Sequence, residues 1–218
     1  MPSVAQVAEN KQPATLTDYL RVRFKGVLDP IGAFLNRLGI TPNAITVAGL
    51  VGNVVGAYFL AQGHMTLGGI IIMTMGAIDA VDGTMARLRC EPSSFGAFVD
   101  SVTDRYSELV TFLGLLIYYM GQSDWQGAVV VYLAAAGSVL VSYVRSRGET
   151  LGYKAKVGIL TRFERYAVLV PTLIFNIPMV GLWIVAVLAN FTALQRILHV
   201  RRQAHVEMNT QRDEDKTG

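Results

Sequence analysis

Residues 78–108 read IDAVDGTMARLRCEPSSFGAFVDSVTDRYSE and join two strongly apolar segments of the chain. Four aspartates, Asp79, Asp82, Asp100 and Asp104, lie inside these segments or at their ends. An ionised carboxylate in hydrocarbon costs about 3 kcal/mol on insertion scales, so four of them together require compensation. Bound cations would supply it, and carboxylate oxygens are the ligands that Mg²⁺, Mn²⁺ and Ca²⁺ prefer. The stretch therefore predicts a metal site between two helices.

The spacing of the aspartates supports this interpretation. Asp79 and Asp82 are three residues apart and Asp100 and Asp104 are four apart, so each pair shares one face of a helix. Four carboxylates on two facing helices carry about the charge that two divalent cations neutralise. The single cysteine, Cys90, excludes an intrachain disulfide and a cysteine-rich zinc site, and the three histidines are scattered.

The composition predicts an all-α integral membrane protein. Of the 218 residues, 52% are apolar and only 16% are charged, and the apolar residues occur in long runs. Within the first forty residues no isolated apolar segment precedes a cleavage site, so we expect no secretory signal. Six candidate transmembrane helices follow, near residues 43–62, 66–88, 95–120, 125–147, 160–176 and 178–199.

The distribution of positive charge predicts the orientation of these six helices. All 19 lysines and arginines lie in the N-terminal region, the junctions between helices 2 and 3 and between helices 4 and 5, or the C-terminal end. Because positively charged loops stay on the cytoplasmic side, both termini are predicted to be cytoplasmic. The same rule places the aspartates near the cytoplasmic face, since Arg87, Arg89 and Arg105 mark that level.

The chain divides into four predicted parts. Residues 1–14 are polar without periodicity and are predicted to be a disordered tail, and residues 15–40 an amphipathic juxtamembrane helix. In that helix Ile31, Phe34, Leu35 and Leu38 form an apolar stripe, which favours a position in the membrane surface over an ordinary soluble helix. Residues 41–203 form the six-helix transmembrane domain, and the polar residues 204–218 are predicted to be a second disordered tail.

From the residues alone, several uses of the aspartates stay open. They could form a structural cation site, a proton relay in a transporter, or a catalytic centre. Their position at the mouth of the bilayer, beside a basic loop, favours a phosphate-bearing substrate over a transmembrane ion path. Gly83 and Gly96 leave room for a ligand or a second helix to approach the backbone.

Written as a pattern, the stretch is D-x2-D-G-x2-A-R-x8-G-x3-D-x3-D. The pattern resembles the signature of the CDP-alcohol phosphotransferase family, which has an amphipathic N-terminal helix and six spans. The segment Thr41-Pro42-Asn43 with Thr46 is also similar to one at the start of the family's first span. The eight matching positions are Asp79, Asp82, Gly83, Ala86, Arg87, Gly96, Asp100 and Asp104.

The resemblance implies a reaction and a set of roles. Family members transfer a substituted phosphoryl group from a CDP-linked lipid or alcohol to an acceptor hydroxyl and release CMP. By resemblance, Asp79, Asp82 and Asp100 would hold two Mg²⁺ or Mn²⁺ ions, and Asp104 would contribute to one ion and act as general base. The CDP-donor site would be formed by Gly83, Ala86 and Arg87, with Thr46 as a further candidate.

The acceptor is predicted from arginines that crowd the cytoplasmic helix ends. Converging arginines suit bidentate capture of phosphate, although positive-inside topology alone explains several of them. The run SYVRSRGETLG…VGILTRFERY resembles the inositol phosphate region of the phosphatidylinositol phosphate synthases within the family and of their archaeal counterparts. Two positions depart from that group, with arginine at 145 where lysine is common and Phe163 in place of a frequent proline. The predicted acceptor-phosphate residues are Arg145, Arg147, Arg162, Arg165 and Arg196.

The sequence therefore predicts an enzyme of phospholipid biosynthesis in the plasma membrane, with its active site facing the cytoplasm. It would transfer the phosphatidyl group of CDP-diacylglycerol to a phosphorylated polyol, with inositol phosphate preferred and glycerol 3-phosphate or another alcohol as the alternative. A cation or proton transporter is the alternative of another class. The family resemblance implies a homodimer among membrane lipids, and nucleic acid is not an expected partner.

Overall fold

The described part of the protein is entirely helical, which confirms the predicted all-α class. The computed structural model describes residues 26, 29–88, 94–155 and 157–217, and at some helical positions, among them Asp82, Gly83, Ala86 and Arg87, it describes the main chain only. These residues form seven helices and no strand. The helices are α1 (29–37), α2 (Pro42–Ala61), α3 (Met65–Leu88), α4 (Ser94–Gly121), α5 (Trp125–Thr150), α6 (Arg162–Ile174) and α7 (Pro178–Thr217).

Local sequence signals set the helix boundaries. Gly39 ends the first helical segment with a φ of 77°, in the left-handed region that glycine adopts readily. The side chain of Thr41 then caps α2 by accepting a hydrogen bond from the amide of Ala44 at 3.3 Å, and Pro42 occupies the first turn. Asp124 caps α5 in the same way, through the amide of Gly127 at 2.9 Å. Helices α2 to α7 accordingly begin within two residues of the predicted positions.

Helix α1 and the turn that follows it present an apolar stripe that the described protein leaves uncovered. Ile31, Phe34 and Leu38 are exposed by 44%, 60% and 59%. On another face, Asn36 Nδ2 donates a hydrogen bond to the carbonyl oxygen of Met85 at 3.3 Å, which fixes α1 to the C-terminal end of α3. The predicted tail 1–14 and residues 15–25 of the predicted amphipathic helix lie outside the described residues.

Three of the described helices are long and apolar enough to cross a membrane: α2, α5 and the segment Pro178–Asn209 of α7. Helix α3 contributes a shorter apolar stretch, Met65–Asp79. Helix α4 carries four charged residues within its first fifteen: Asp100, Asp104, Arg105 and Glu108. Helix α6 has 13 residues and so measures about 20 Å, less than the hydrocarbon thickness of about 30 Å. A membrane-protein architecture follows, while the count of six spans stays a prediction.

The helices pack around one apolar core and bring three charged helix segments together. Helix α2 packs against α3 and α4, α5 packs against α4 and α7, and α6 packs against α3 and α7. Leu60, Ile72, Leu115, Leu173 and Leu182 are almost fully buried in this core. Since α2 contacts both aspartate-bearing helices, and α6 contacts α3, the polar ends of α3, α4 and α6 are held in a fixed arrangement.

Helix α7 differs from the prediction at its C-terminal end. It continues to Thr217, through most of residues 204–218, which the sequence predicts to be a disordered tail. After Gly181 the helix contains no glycine or proline. Tertiary hydrogen bonds also support its extension: Gln203 bonds the main chain of Lys154, and Glu207 accepts from the hydroxyl of Tyr153. These contacts join residues about fifty positions apart, which composition alone does not reveal.

A glycine contact between α2 and α4 gives a first testable prediction. A Cβ atom at Gly114 would overlap the Cα and carbonyl oxygen of Ala57, and main-chain atoms cannot move aside as a side chain can. We expect Gly114→Ala to lower the free energy of unfolding by about 1–3 kcal/mol, measured as a lower thermal midpoint in detergent. Gly49→Ala is the matched control, since a Cβ there meets no atom within 4 Å and alanine favours the helix. Equal losses in both variants would contradict close packing of α2 on α4.

Candidate active site

Three of the four predicted metal-binding aspartates meet in the structure. One carboxylate oxygen each from Asp79, Asp100 and Asp104 lie within 4.8 Å of one another. Asp104 is buried, with 7% exposed, whereas Asp79 is half-buried and Asp100 is exposed. The cluster is therefore open on one side and closed on the other. The side chain of Asp82 lies outside the described residues.

Arg162, the first residue of α6, lies directly against these aspartates. Its Nη1 atom donates a hydrogen bond to Asp79 Oδ2 at 3.2 Å and forms an ion pair with Asp104 Oδ2. The guanidinium also lies over the ring of Tyr166, 5.8 Å from its centre, and the Tyr166 hydroxyl donates to Asn53 Oδ1 at 3.3 Å. Helices α2, α3, α4 and α6 thus all contribute to holding this cation in place.

Arg165 forms a buried ion pair one turn further along α6. Its Nε and Nη2 atoms donate to the two carboxylate oxygens of Glu108 at 2.7 and 3.0 Å, and Nη1 donates to the carbonyl oxygen of Leu160 at 3.4 Å. Only 2% of the Arg165 side chain and 6% of the Glu108 side chain are exposed. The bidentate geometry is the one in which arginine pairs best with a carboxylate. In this arrangement Arg165 joins α4 to α6.

Arg196 is buried on α7 and bonds the main chain of two other segments. Its Nε atom donates to the carbonyl oxygen of Val157 at 2.7 Å, and Nη1 donates to that of Val141 at 2.6 Å. Arg145 pairs with Glu149 at 3.0 Å near the surface, and Arg147 is exposed. Of the five predicted acceptor arginines, Arg162 is the one whose described contacts reach the aspartates. An acceptor role for the other four stays a prediction.

Glu108 and Tyr166 are site residues that the sequence analysis missed. Glu108 continues the spacing of four that already contains Gly96, Asp100 and Asp104, and this continuation was the available signal. Tyr166 follows Arg162 on α6 at the same spacing of four residues. Nothing local to the sequence indicated that Asn53, in the middle of an apolar helix, would accept a hydrogen bond from it.

The residues predicted to bind the CDP donor are described less completely. Thr46 is buried on α2, and its hydroxyl donates to the carbonyl oxygen of Pro42 at 3.1 Å. Gly83, Ala86 and Arg87 belong to α3, but the structure describes only their main chain. Their role in nucleotide binding therefore stays a prediction.

The aspartate cluster has the donor set of a divalent cation site. Carboxylate oxygens are the preferred ligands of Mg²⁺ and Mn²⁺, and Asp79, Asp100 and Asp104 offer three that converge. The contact of Arg162 with Asp79 and Asp104 shows that these oxygens already attract a cation. The residues fit the predicted metal chemistry.

The buried ion pair gives a second testable prediction. Glu108→Gln would leave the Arg165 guanidinium buried without a counter-charge, so we expect unfolding to become easier by about 3–5 kcal/mol, measured by thermal unfolding in detergent. The control is Glu149→Gln, because Glu149 and Arg145 are 43% and 41% exposed and such pairs contribute less than about 1 kcal/mol.

A double variant separates the charge effect from a packing effect. Glu108→Leu combined with Arg165→Met removes both charges, and we expect it to recover much of the lost stability. If Glu108→Gln and Glu149→Gln lower the free energy of unfolding by the same amount, Arg165 does not depend on Glu108 for its counter-charge.

Comparison with known proteins assigns the chain to a family. Residues 39–199 match the model of the family described as CDP-alcohol phosphatidyltransferase. Phosphatidylinositol phosphate synthase of Streptomyces avermitilis is 36% identical, in an alignment that covers 88% of this chain and 84% of the relative. Archaetidylinositol phosphate synthase of Pyrococcus horikoshii is 34% identical, with 84% and 96% of the two chains covered.

Solved structures show the same similarity. The crystal structure of Mycobacterium tuberculosis phosphatidylinositol phosphate synthase with CDP-DAG bound superposes with a TM-score of 0.75 and 28% identity, covering 80% of this chain and 93% of that one. A structure of that enzyme in complex with manganese and citrate also gives a TM-score of 0.75, at 79% and 88% coverage. These matches confirm the resemblance seen in the sequence. The chain belongs to the CDP-alcohol phosphatidyltransferase family and is an enzyme of that family.

Proposed function

We propose that this enzyme transfers the phosphatidyl group of CDP-diacylglycerol to a hydroxyl of inositol phosphate, forming phosphatidylinositol phosphate and CMP. The observation that carries the proposal is the meeting of three carboxylates and the Arg162 guanidinium at one point. Such a site can bind a divalent cation and a phosphate side by side. Relatives named phosphatidylinositol phosphate synthase, and the CDP-DAG complex of one of them, support the choice of both substrates.

The proposed metal ligands are Asp79, Asp82, Asp100 and Asp104, which would hold two Mg²⁺ or Mn²⁺ ions. The structure of a relative with manganese supports a divalent cation here. When bound, such ions polarise phosphoryl oxygens and neutralise charge on a leaving phosphate. Asp100 is exposed and Asp104 is buried, so the two aspartates of α4 span the site from its mouth to its floor.

Asp104 is the proposed general base. The acceptor hydroxyl oxygen forms a bond to the phosphorus of the phosphatidyl group, and the phosphoanhydride bond to CMP breaks. CMP leaves with the electron pair of that bond, and the hydroxyl proton passes to Asp104. Asp104 is buried, with 7% exposed, so the packing around it holds the carboxylate in one place. Placing the base in this way is one means by which proton transfer gains in rate.

The arginines divide into three proposed roles at the acceptor site. Arg162 would contact the acceptor phosphate, since it lies at the aspartates and a guanidinium binds phosphate well. Arg165 and Arg196 already donate to Glu108 and to main-chain oxygens, so we assign them to the walls of the pocket. Arg145 and Arg147 would attract the anionic acceptor from solution. On the donor side, Arg87 would bind the diphosphate, with Gly83, Ala86 and Thr46 lining the nucleotide site.

The proposed setting is the plasma membrane, with six spans, both termini in the cytoplasm and the site facing the cytoplasm. The placement of all 19 lysines and arginines supports this orientation. A homodimer surrounded by membrane lipids is part of the proposal. Lipid contact agrees with the many large apolar side chains exposed on α2, α4, α5 and α7.

Turnover by purified protein tests the reaction. We expect CMP release from CDP-diacylglycerol only when inositol phosphate and Mg²⁺ or Mn²⁺ are both present. Asp104→Asn keeps the shape of the side chain but cannot accept the proton, so we expect at least about a hundredfold loss of kcat. Glu207→Gln is the control and should keep full activity, because Glu207 is exposed and a glutamine can still accept the hydrogen bond from Tyr153. Normal turnover in Asp104→Asn would refute the role of Asp104, and a higher kcat/KM with glycerol 3-phosphate would refute the choice of acceptor.

Metal affinity tests the placement of Arg162 independently of turnover. Its Nη1 atom occupies the Asp79 and Asp104 oxygens that a metal ion needs, so we expect Arg162→Gln to bind Mn²⁺ at least about tenfold more tightly, measured by electron paramagnetic resonance. Arg105→Gln is the matched control. Arg105 also interacts electrostatically with Asp100 and Asp104, but its Nη1 atom donates to Ser142 Oγ at 2.9 Å. Equal gains in both variants would mean that charge alone, not competition for these oxygens, governs affinity.

A further inference from the structure

A cavity of about 420 Å³ lies between the segment that follows α5 and the surface of α7. None of the residues predicted to bind metal, donor or acceptor lines it. We call it the α7 groove. Its lining residues are Val157, Gly158 and Ile159 on one wall and Gln195, Leu198, His199 and Arg202 on the other.

Hydrogen bonds fix the two walls of the α7 groove relative to each other. On one side Arg196 donates to the carbonyl oxygen of Val157 at 2.7 Å. On the other side the Gln203 carboxamide bonds both the amide and the carbonyl of Lys154, each at 2.9 Å. Between them Gly158 has a φ of 116°, and a side chain there would overlap Thr192. The groove is therefore preformed, as small-molecule sites usually are, and its volume lies in their range.

The polar groups of the α7 groove define the chemistry of a ligand. Arg202 supplies a positive charge, His199 supplies a ring nitrogen, and no acidic residue is among the described residues of the lining. The Oε1 atom of Gln195 is buried and accepts no hydrogen bond from any residue that the structure describes. Leaving a buried acceptor unpaired costs free energy, so a ligand with a hydroxyl donor would be favoured. An anionic, hydroxylated ligand satisfies both requirements.

The outer surface of α7 indicates that this ligand is a lipid. Exposed apolar residues recur every three or four positions along the helix, at Val180, Trp183, Val187, Phe191, Leu194 and Leu198. Arg202 is the next position, one turn beyond Leu198, and Ile159 on the opposite wall is 61% exposed. An acyl chain along this stripe would end with its phosphate at Arg202. Basic pockets at the cytoplasmic ends of membrane helices are suited to anionic headgroups.

We propose that the α7 groove binds an anionic phospholipid whose headgroup carries a hydroxyl group. The phosphate contacts Arg202 and His199, the hydroxyl donates to Gln195, and the acyl chains lie along the apolar stripe of α7. The wall formed by residues 157–159 leads into Thr161 and Arg162 at the start of α6. A bound lipid therefore contacts the segment that positions Arg162, at a site separate from the aspartates.

Lipid binding to the purified protein in maltoside micelles tests the proposal, with dioctanoyl phosphatidylinositol as the probe and native mass spectrometry as the readout. We expect Arg202→Gln to weaken binding about fivefold, the usual effect of one basic residue at an anionic lipid surface. Arg201→Gln is the matched control, because Arg201 is exposed beside Arg202 but does not line the groove. It should bind as the unchanged protein does, and dioctanoyl phosphatidylcholine should bind weakly to all three.

Three results would overturn the proposal. If Arg201→Gln and Arg202→Gln weakened lipid binding equally, the lipid would be attracted by the general surface charge and not bound in the groove. Displacement of the lipid by inositol phosphate at the same concentration would identify a soluble phosphate as the ligand. Unchanged lipid binding in Gln195→Ala would refute the proposed hydrogen bond from the headgroup hydroxyl to Gln195. Arg202 is exposed, so unchanged thermal unfolding of Arg202→Gln confirms that a loss of binding is not a loss of fold.

Discussion

One guanidinium held between carboxylates of two other helices is the interaction on which the arrangement of the site depends. Arg162 on α6 contacts Asp79 on α3 and Asp104 on α4, in the part of the protein where these helices converge. Two carboxylates brought close together without a cation would repel each other, and the repulsion grows as water is excluded. A positive charge at this point is thus a condition for the helices to meet. The apolar core sets how all the helices from α2 to α7 pack, and this charge balance sets how closely the polar ends of α3, α4 and α6 approach one another.

Much of the fold could be predicted from the sequence because its signals are local. Long apolar runs, together with Gly39 and Thr41 at the first boundary, place six helices within two residues of their observed starts. The end of α7 could not be placed in this way. Its extension to Thr217 is accompanied by bonds from Gln203 and Glu207 to residues before α6, and a polar composition is equally compatible with a disordered tail.

In the site, too, local sequence predicts some residues, whereas the roles of others depend on tertiary contacts. Helical spacing is enough to bring Asp100 and Asp104 to one face, and the family pattern adds Asp79. The arginines are different, because a basic residue near a helix end has several possible partners in the fold. Arg165 pairs with Glu108, Arg196 bonds the carbonyls of Val141 and Val157, and Arg145 pairs with Glu149. The sequence could predict a cluster of positive charge near the helix ends. Only the structure distinguishes Arg162, which contacts the aspartates, from arginines that bond other parts of the fold.

The short length of α6 has a consequence for how two unlike substrates could meet. A helix of 13 residues covers about 20 Å, about 10 Å less than the hydrocarbon thickness that a spanning helix must match. With α6 placed across the bilayer as proposed, Arg162 and the aspartates at its N-terminus would lie beneath the level of the neighbouring headgroups, at the floor of a dimple in the bilayer surface. A water-soluble polyol phosphate can descend into such a dimple without crossing hydrocarbon, and a diacyl donor can reach its rim without leaving the leaflet. The length of α6 would thereby set the level at which a water-soluble acceptor and a membrane-bound donor meet.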